Sequence, residues 1–234
     1  MNVVLGRRLT GEFLGTFFLL AAVVGSGIMA ENLTSDVGLQ LLQNALATAG
    51  VLAALILTFA AVSGAHFNPA VTLTDLALGG IDRTTAAAYV IVQIAGGILG
   101  VIAANLMFDL PAVEWSTKDR SAGHLVFAEG IATLGLLLVI FLVVRAGNAQ
   151  MVAFSVAGYI AGAYYFTSST SFANPAVTVS RMFSDTFAGI EPASVPLFVV
   201  AQLTAVGIGI ALIRFMTPVE QAVPASAPVH SDAT

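Results

Sequence analysis

Six long apolar stretches leave this chain few ways to fold. They cover about residues 9–30, 39–62, 85–107, 125–145, 150–168 and 195–216, with Gly, Asn, Asp and Pro clusters between them. A helix needs roughly 20 apolar residues to cross the hydrocarbon of a bilayer. Six such runs in 234 residues predict a multi-pass helical membrane protein built as one domain. The runs are continuous rather than alternating, which excludes a transmembrane β-barrel. Charged residues make up only 9% of the chain, too few to cover a water-facing surface. The first run is too long for the core of a cleavable signal and reads as a span. From residue 217 to 234 the chain is rich in Pro, Ala and Ser, and a disordered cytoplasmic tail is expected there.

The same composition excludes several function classes. The net charge of −5 and the absence of any Lys or Arg run argue against nucleic-acid binding. Without cysteine there is no disulfide, thiolate metal site or thiol nucleophile. His66, His124 and His230 lie far apart with no ligand spacing, so neither a metal nor another cofactor is expected. No HExxH, phosphate loop or nucleophile elbow occurs, and an enzyme reading finds no support. With the N-terminus inside, Arg7, Arg8, Arg83, Arg145 and Arg214 fall on the cytoplasmic side. Lys118, Arg120 and Arg181 then fall outside, so the positive-inside bias puts both termini in the cytoplasm.

The chain repeats itself. Phe67-Asn68-Pro69-Ala70-Val71-Thr72 recurs as Ala173-Asn174-Pro175-Ala176-Val177-Thr178, and Glu12 in the first span is matched by Glu129 in the fourth. Each half, about 7–107 and 122–216, holds three spans and one Asn-Pro-Ala. Three is odd, so the halves enter the membrane with opposite polarity, as in an inverted repeat. The segments 68–79 and 174–184 are too short to cross. Asn is a favoured N-cap and Pro suits the first helical position. Non-spanning backbone survives at membrane depth only when buried in protein or lining a wet cavity. Two re-entrant half-helices are therefore expected, meeting near the midplane with their positive ends at a pore. Asn68 and Asn174 would offer amide donors to a neutral passing molecule.

These motifs resemble the aquaporin, or major intrinsic protein, family. Ser63-Gly64-Ala65-His66-Phe67-Asn68-Pro69-Ala70-Val71-Thr72 is similar to its first signature and Phe172-Ala173-Asn174-Pro175-Ala176 to its second. Gly11-Glu12-Phe13-Leu14-Gly15-Thr16-Phe17 is similar to its first-helix pattern. The resemblance spans about residues 7–216. It implies six helices plus two half-helices, one pore per subunit and a homotetramer in membrane lipid. Carried over by spacing, the family's narrow filter falls on Thr48, Gly162, Ser171 and Val177, the last where the family normally has Arg. Neither the water-selective nor the glycerol-conducting filter is matched. Small uncharged side chains at all four positions imply a wide constriction with few strong donors, and loss of the Arg removes a fixed charge and its fork of donors. This looks like a bacterial aquaglyceroporin-like subgroup associated with metalloid efflux. The expected activity is passive passage of trivalent arsenite and neutral polyols such as glycerol, with water, across the bacterial inner membrane. A water-selective channel is the nearer alternative and an ion-coupled secondary transporter the more distant one.

Other residues carry two readings each. A buried carboxylate costs about 3 kcal/mol or more, so Glu12 and Glu129 need a purpose. They serve either as a proton relay or as acceptors for irregular backbone beside the half-helices, and the resemblance favours the second. Arg181, four residues after Val177, either reaches the outer mouth and partly replaces the missing charge or lies in solvent and headgroups. His66 either faces the inner vestibule or packs in its loop. Gly162 belongs to a small-xxx-small pair with Gly158, as Gly11 does with Gly15 and Gly96 with Gly100, so it serves either pore width or helix packing. Trp115, Tyr164 and Tyr165 are expected at the headgroup level.

Overall fold

The computed structural model describes residues 3–217, so the expectation of a disordered tail falls, from residue 218 onward, outside the described residues. Eight α-helices follow in order: α1 Val3–Leu33, α2 Val37–Ser63, α3 Pro69–Leu78, α4 Arg83–Met107, α5 Gly123–Arg145, α6 Val152–Phe166, α7 Pro175–Ser180 and α8 Val195–Met216. Among the described residues there is no strand.

Five helices (α1, α2, α4, α5 and α8) are long and apolar enough to cross a membrane. The expected fifth span is shorter than its apolar run. Its 15 residues form α6, preceded by a 3-10 turn at Ala149–Met151. At 1.5 Å per residue that helix alone rises about 22 Å, less than the hydrocarbon thickness. Residues 167–173, five hydroxyl side chains followed by Phe172 and Ala173, leave the helix and run irregularly toward the second Asn-Pro-Ala.

The helices begin and end where their side chains provide for it. The Asp36 carboxylate accepts from Leu39 N–H at the start of α2, and Asp82 accepts from Thr84 and Thr85 N–H at the start of α4. Gly64, at φ 91°, closes α2 in the left-handed region. The fold then repeats: α1 packs on α2 and α4, and α5 on α6 and α8, while α2 and α6 join the halves. Both short helices, α3 and α7, lie against α4 and α8. Gly96 and Gly100 bring α4 onto the α1 backbone: a Cβ at Gly100 would stand 2.2 Å from the Phe17 carbonyl oxygen. Ile91, Phe127, Val200 and Phe215 are exposed around the outside, as on a surface that meets lipid or another chain.

Candidate functional site: a cavity at the paired Asn-Pro-Ala turns

Each Asn-Pro-Ala segment starts a helix by the chemistry its residues carry. Asn68 is extended (φ −152°) and its side-chain oxygen accepts from Ala70 N–H, with Pro69 at the first helical position. Asn174 is likewise extended (φ −161°) and accepts from Ala176 and Val177 N–H, with Pro175 next. Ala70 and Ala176 are fully buried. α7 has only six α-helical residues, continued by a 3-10 turn at Arg181–Phe183.

The two turns are tied to one another. Asn68 Nδ2 donates to the Ala173 carbonyl at 2.8 Å, and Asn174 Nδ2 donates to the Phe67 carbonyl at 2.8 Å. Phe67 and Ala173 are both in the left-handed region, at φ 49° and 50°, which costs a non-glycine residue of order 1 kcal/mol or more. What holds them there is a buried carboxylate in each half. Glu12 accepts from His66 N–H, Phe67 N–H, the Ser63 hydroxyl and the Gln93 amide. Glu129 accepts from Phe172 N–H, Ala173 N–H and the Gln202 amide. Gln93 also donates to Thr72 and Gln202 to Thr178. An amide nitrogen carries two hydrogens, so Asn68 and Asn174 each keep one donor beyond the bond to the opposite turn.

Both asparagines border one cavity of about 440 Å³. At one end stand Thr48, Tyr164, Ser171, Phe172, Val177 and Arg181, and at the other His66, Asp75, Val144, Arg145 and Ala149. Between them the wall is mostly aliphatic, with Leu19, Val23, Leu52, Ile56, Leu136 and Ile160. His66 contacts Thr72 through Nδ1 (3.1 Å) and pairs with Asp75 at 3.6 Å. Of the filter positions reached by spacing, Thr48, Ser171 and Val177 lie on this cavity.

Gly162 does not. It is exposed on the outside of α6, and the residue of α6 at that end of the cavity is Tyr164. Val152, Val156, Ile160 and Tyr164, at i, i+4 intervals, define the inward face of α6. Gly162 is some 200° around the helix from Tyr164, at 100° per residue. Counting back from Asn174 crosses residues 167–173, an irregular segment with Thr170 and Ser171 at φ 64° and 53°, so the count alone does not fix which face of α6 turns inward. Tyr164 is accordingly not at a headgroup: it is 4% exposed, and its hydroxyl meets that of Thr48 at 3.1 Å. Tyr165 and Trp115 are exposed. The Thr48 end of the cavity thus carries an aromatic hydroxyl that spacing missed, and it is not lined by small side chains alone.

Arg181 is neither solvated nor at a headgroup; it is 3% exposed, with its guanidinium carbon 3.5 Å from the Phe172 ring centre. Its Nε donates to the Ala188 carbonyl. Arg120, in the connection 108–122, approaches the same ring at 4.9 Å and donates to the Gly189 and Ser169 carbonyls. Burial lowers Arg120 to about 10, which leaves it charged at neutral pH. Nearby Lys118 is lowered to about 8, first by burial and then by repulsion from Arg120 and Arg181. Gln93 and Gln202 were not singled out from sequence, and Tyr164, Phe172 and Arg120 were read there only as a headgroup aromatic, a motif residue and an outside loop charge. One signal was available: Tyr89-Val90-Ile91-Val92-Gln93 and Phe198-Val199-Val200-Ala201-Gln202 place one amide identically in each half. No group of three or more His, Cys, Asp or Glu poised for a metal occurs among the described residues.

Two oppositely entering half-helices, pinned by reciprocal asparagine bonds beside a lined cavity, define a membrane channel. The chain belongs to the major intrinsic protein family: the family model, "Major intrinsic protein", matches residues 2–153. Members are channels, not enzymes. The chain is 47% identical over 212 residues to the aquaglyceroporin AqpS of Rhizobium meliloti (strain 1021), covering 91% of each chain. It is 31% identical over 150 residues to Aquaporin Z of Photorhabdus laumondii, covering 60% of this chain and 64% of that one. The X-ray structure of the aquaglyceroporin from Plasmodium falciparum superposes with a TM-score of 0.68 at 25% identity, covering 89% of this chain and 93% of that chain.

Proposed function

We propose that this protein is a passive, bidirectional channel for small uncharged solutes in a bacterial inner membrane, with both termini cytoplasmic and a homotetrameric assembly. Its solutes are neutral polyols such as glycerol and trivalent arsenite, a neutral trihydroxy molecule of similar size, with water passing alongside. The observation that carries this is the cavity at the paired asparagines, whose central polar groups are two neutral amides in an aliphatic wall. Coupled transporters usually keep charged groups at that depth to bind their driving ion, so passive flow is the better match.

Solute choice is assigned to the Thr48 end. There the hydroxyls of Thr48, Tyr164 and Ser171 border the cavity beside Val177, and the buried Ser171 Oγ has no partner in the protein. Hydroxyls that both donate and accept suit a polyol and do not demand one fixed orientation. The aquaglyceroporin name of the 47% identical relative supports a solute larger than water. Glu12 and Glu129 are given a structural role, as acceptors for the turn backbone.

Val177→Arg in reconstituted vesicles tests this assignment. A long side chain at a cavity-lining position should cut glycerol and arsenite entry about tenfold or more while water still passes. Unchanged solute entry would place selection elsewhere. Fast water flux with negligible solute entry in the unmodified protein would make it a water-selective channel.

A further inference from the structure

We propose that Arg181 is the residue that excludes cations from this channel, a charge carried one turn along the chain from the position that Val177 occupies. The inference rests on the channel reading above. Val177 and Arg181 both border the Thr48 end of the cavity, as residues four apart on one helical face do. Arg181 is held in place by two contacts that need no carboxylate, the Phe172 face and the Ala188 carbonyl. A guanidinium has five N–H donors, and the bond to Ala188 uses one of them.

No carboxylate pairs with it directly. Among the described residues the one ion pair is His66 with Asp75, at the opposite end of the cavity. The charged and titratable groups around Arg181 are Arg120 and Lys118 from the connection 108–122, Tyr164 from α6 and Glu129 from α5. Glu129 opposes both guanidiniums through space, but its oxygens are taken by three donors from the turn and Gln202 and it forms no ion pair with either. Lys118 has Glu31 and Asp185 beside it, so the excess comes from two guanidiniums on one buried ring against the single Glu129 carboxylate, which sets a positive potential at the Thr48 end. In a low-dielectric passage that repels cations while a neutral solute feels little of it. Ser171 Oγ, buried and unpartnered in the same ring of side chains, supplies a hydroxyl for a solute passing the guanidinium.

The test pairs cation conductance with glycerol entry in vesicles holding the unmodified protein, Arg181→Gln and Val177→Asp. Arg181→Gln removes the charge; Val177→Asp leaves Arg181 on Phe172 and places a carboxylate one turn away to neutralise it. Both positions border the cavity, so glycerol entry can change in either variant, but both are expected to raise sodium or potassium conductance about tenfold or more relative to glycerol entry. Should Arg181→Gln fail to assemble, Val177→Asp decides alone. A variant that passes glycerol but stays as cation-tight as the unmodified protein overturns the proposal. Unmodified protein that passes neither water nor glycerol overturns the channel reading, a failure distinct from this one.

Discussion

Replacing Glu129 with Gln should unfold one of the two turns on which the pore depends. The carboxylate accepts Phe172 N–H on one oxygen (2.8 Å) and Ala173 N–H and the Gln202 amide on the other (2.8 and 2.9 Å). Gln has nearly the same shape but presents two hydrogens where one of those oxygens stood. A donor then faces a buried donor, and the remaining bonds lose their charge assistance. An unmade buried hydrogen bond costs about 1–3 kcal/mol and more near a charge, so a total of roughly 3 kcal/mol or more is expected. Ala173, at φ 50°, would lose the contact that holds it in that region, and with it the carbonyl that Asn68 grips. Thermal unfolding in detergent should show a fall in Tm of several degrees, and solute entry in vesicles should drop with it. A Tm within a degree of the unmodified protein would show that Glu129 is not what holds the turn.

The second large effect is expected at Gly100. A methyl group there would sit 2.2 Å from the Phe17 carbonyl oxygen and 3.1 Å from Leu20 Cβ; at Gly96 it would sit 2.4 Å from the Phe13 carbonyl. Both obstacles at the carbonyls are helix backbone, which cannot rotate aside as a side chain can. Gly100→Ala must therefore push α1 and α4 apart, and overpacking of this kind costs about 1–3 kcal/mol or more. Gly207→Ala is the control, because nothing lies within 4 Å of its would-be Cβ and alanine is the better helix former by about 1 kcal/mol. Yield of folded protein and Tm should fall for Gly100→Ala and hold for Gly207→Ala. Equal behaviour of the two would contradict the close α1–α4 approach.

How much of this was legible in the sequence follows from how local each cause is. The spans, the duplicated Asn-Pro-Ala and the N-cap role of each Asn are fixed by neighbouring residues, and the helices of the fold lie where those signals put them. The expected span 150–168 exceeds α6 by two residues at each end, because Gln150 and Met151 fall in the preceding 3-10 turn and Thr167 and Ser168 lie past the last helical residue, Phe166. Gly162 shows the limit most clearly. Counting back from Asn174 crosses an irregular segment with left-handed residues at Thr170, Ser171 and Ala173, and the count alone does not say that Tyr164 rather than Gly162 faces the cavity. The i, i+4 series Val152, Val156, Ile160 and Tyr164 carries the correct face, though only once α6 is known to border the cavity. The burial of Arg181 depends on Phe172 and Ala188, from either side of it in the chain, meeting it in space. Nothing four residues away from Arg181 announces either.

The central claim is that small uncharged solutes cross this protein passively. Stopped-flow light scattering on vesicles holding the unmodified protein, with water, glycerol and arsenite gradients in turn, tests it most directly. The account predicts fast glycerol and arsenite entry that scales with the gradient and is indifferent to sodium or proton gradients. Saturable entry that accumulates solute against its gradient when an ion gradient is imposed would contradict it.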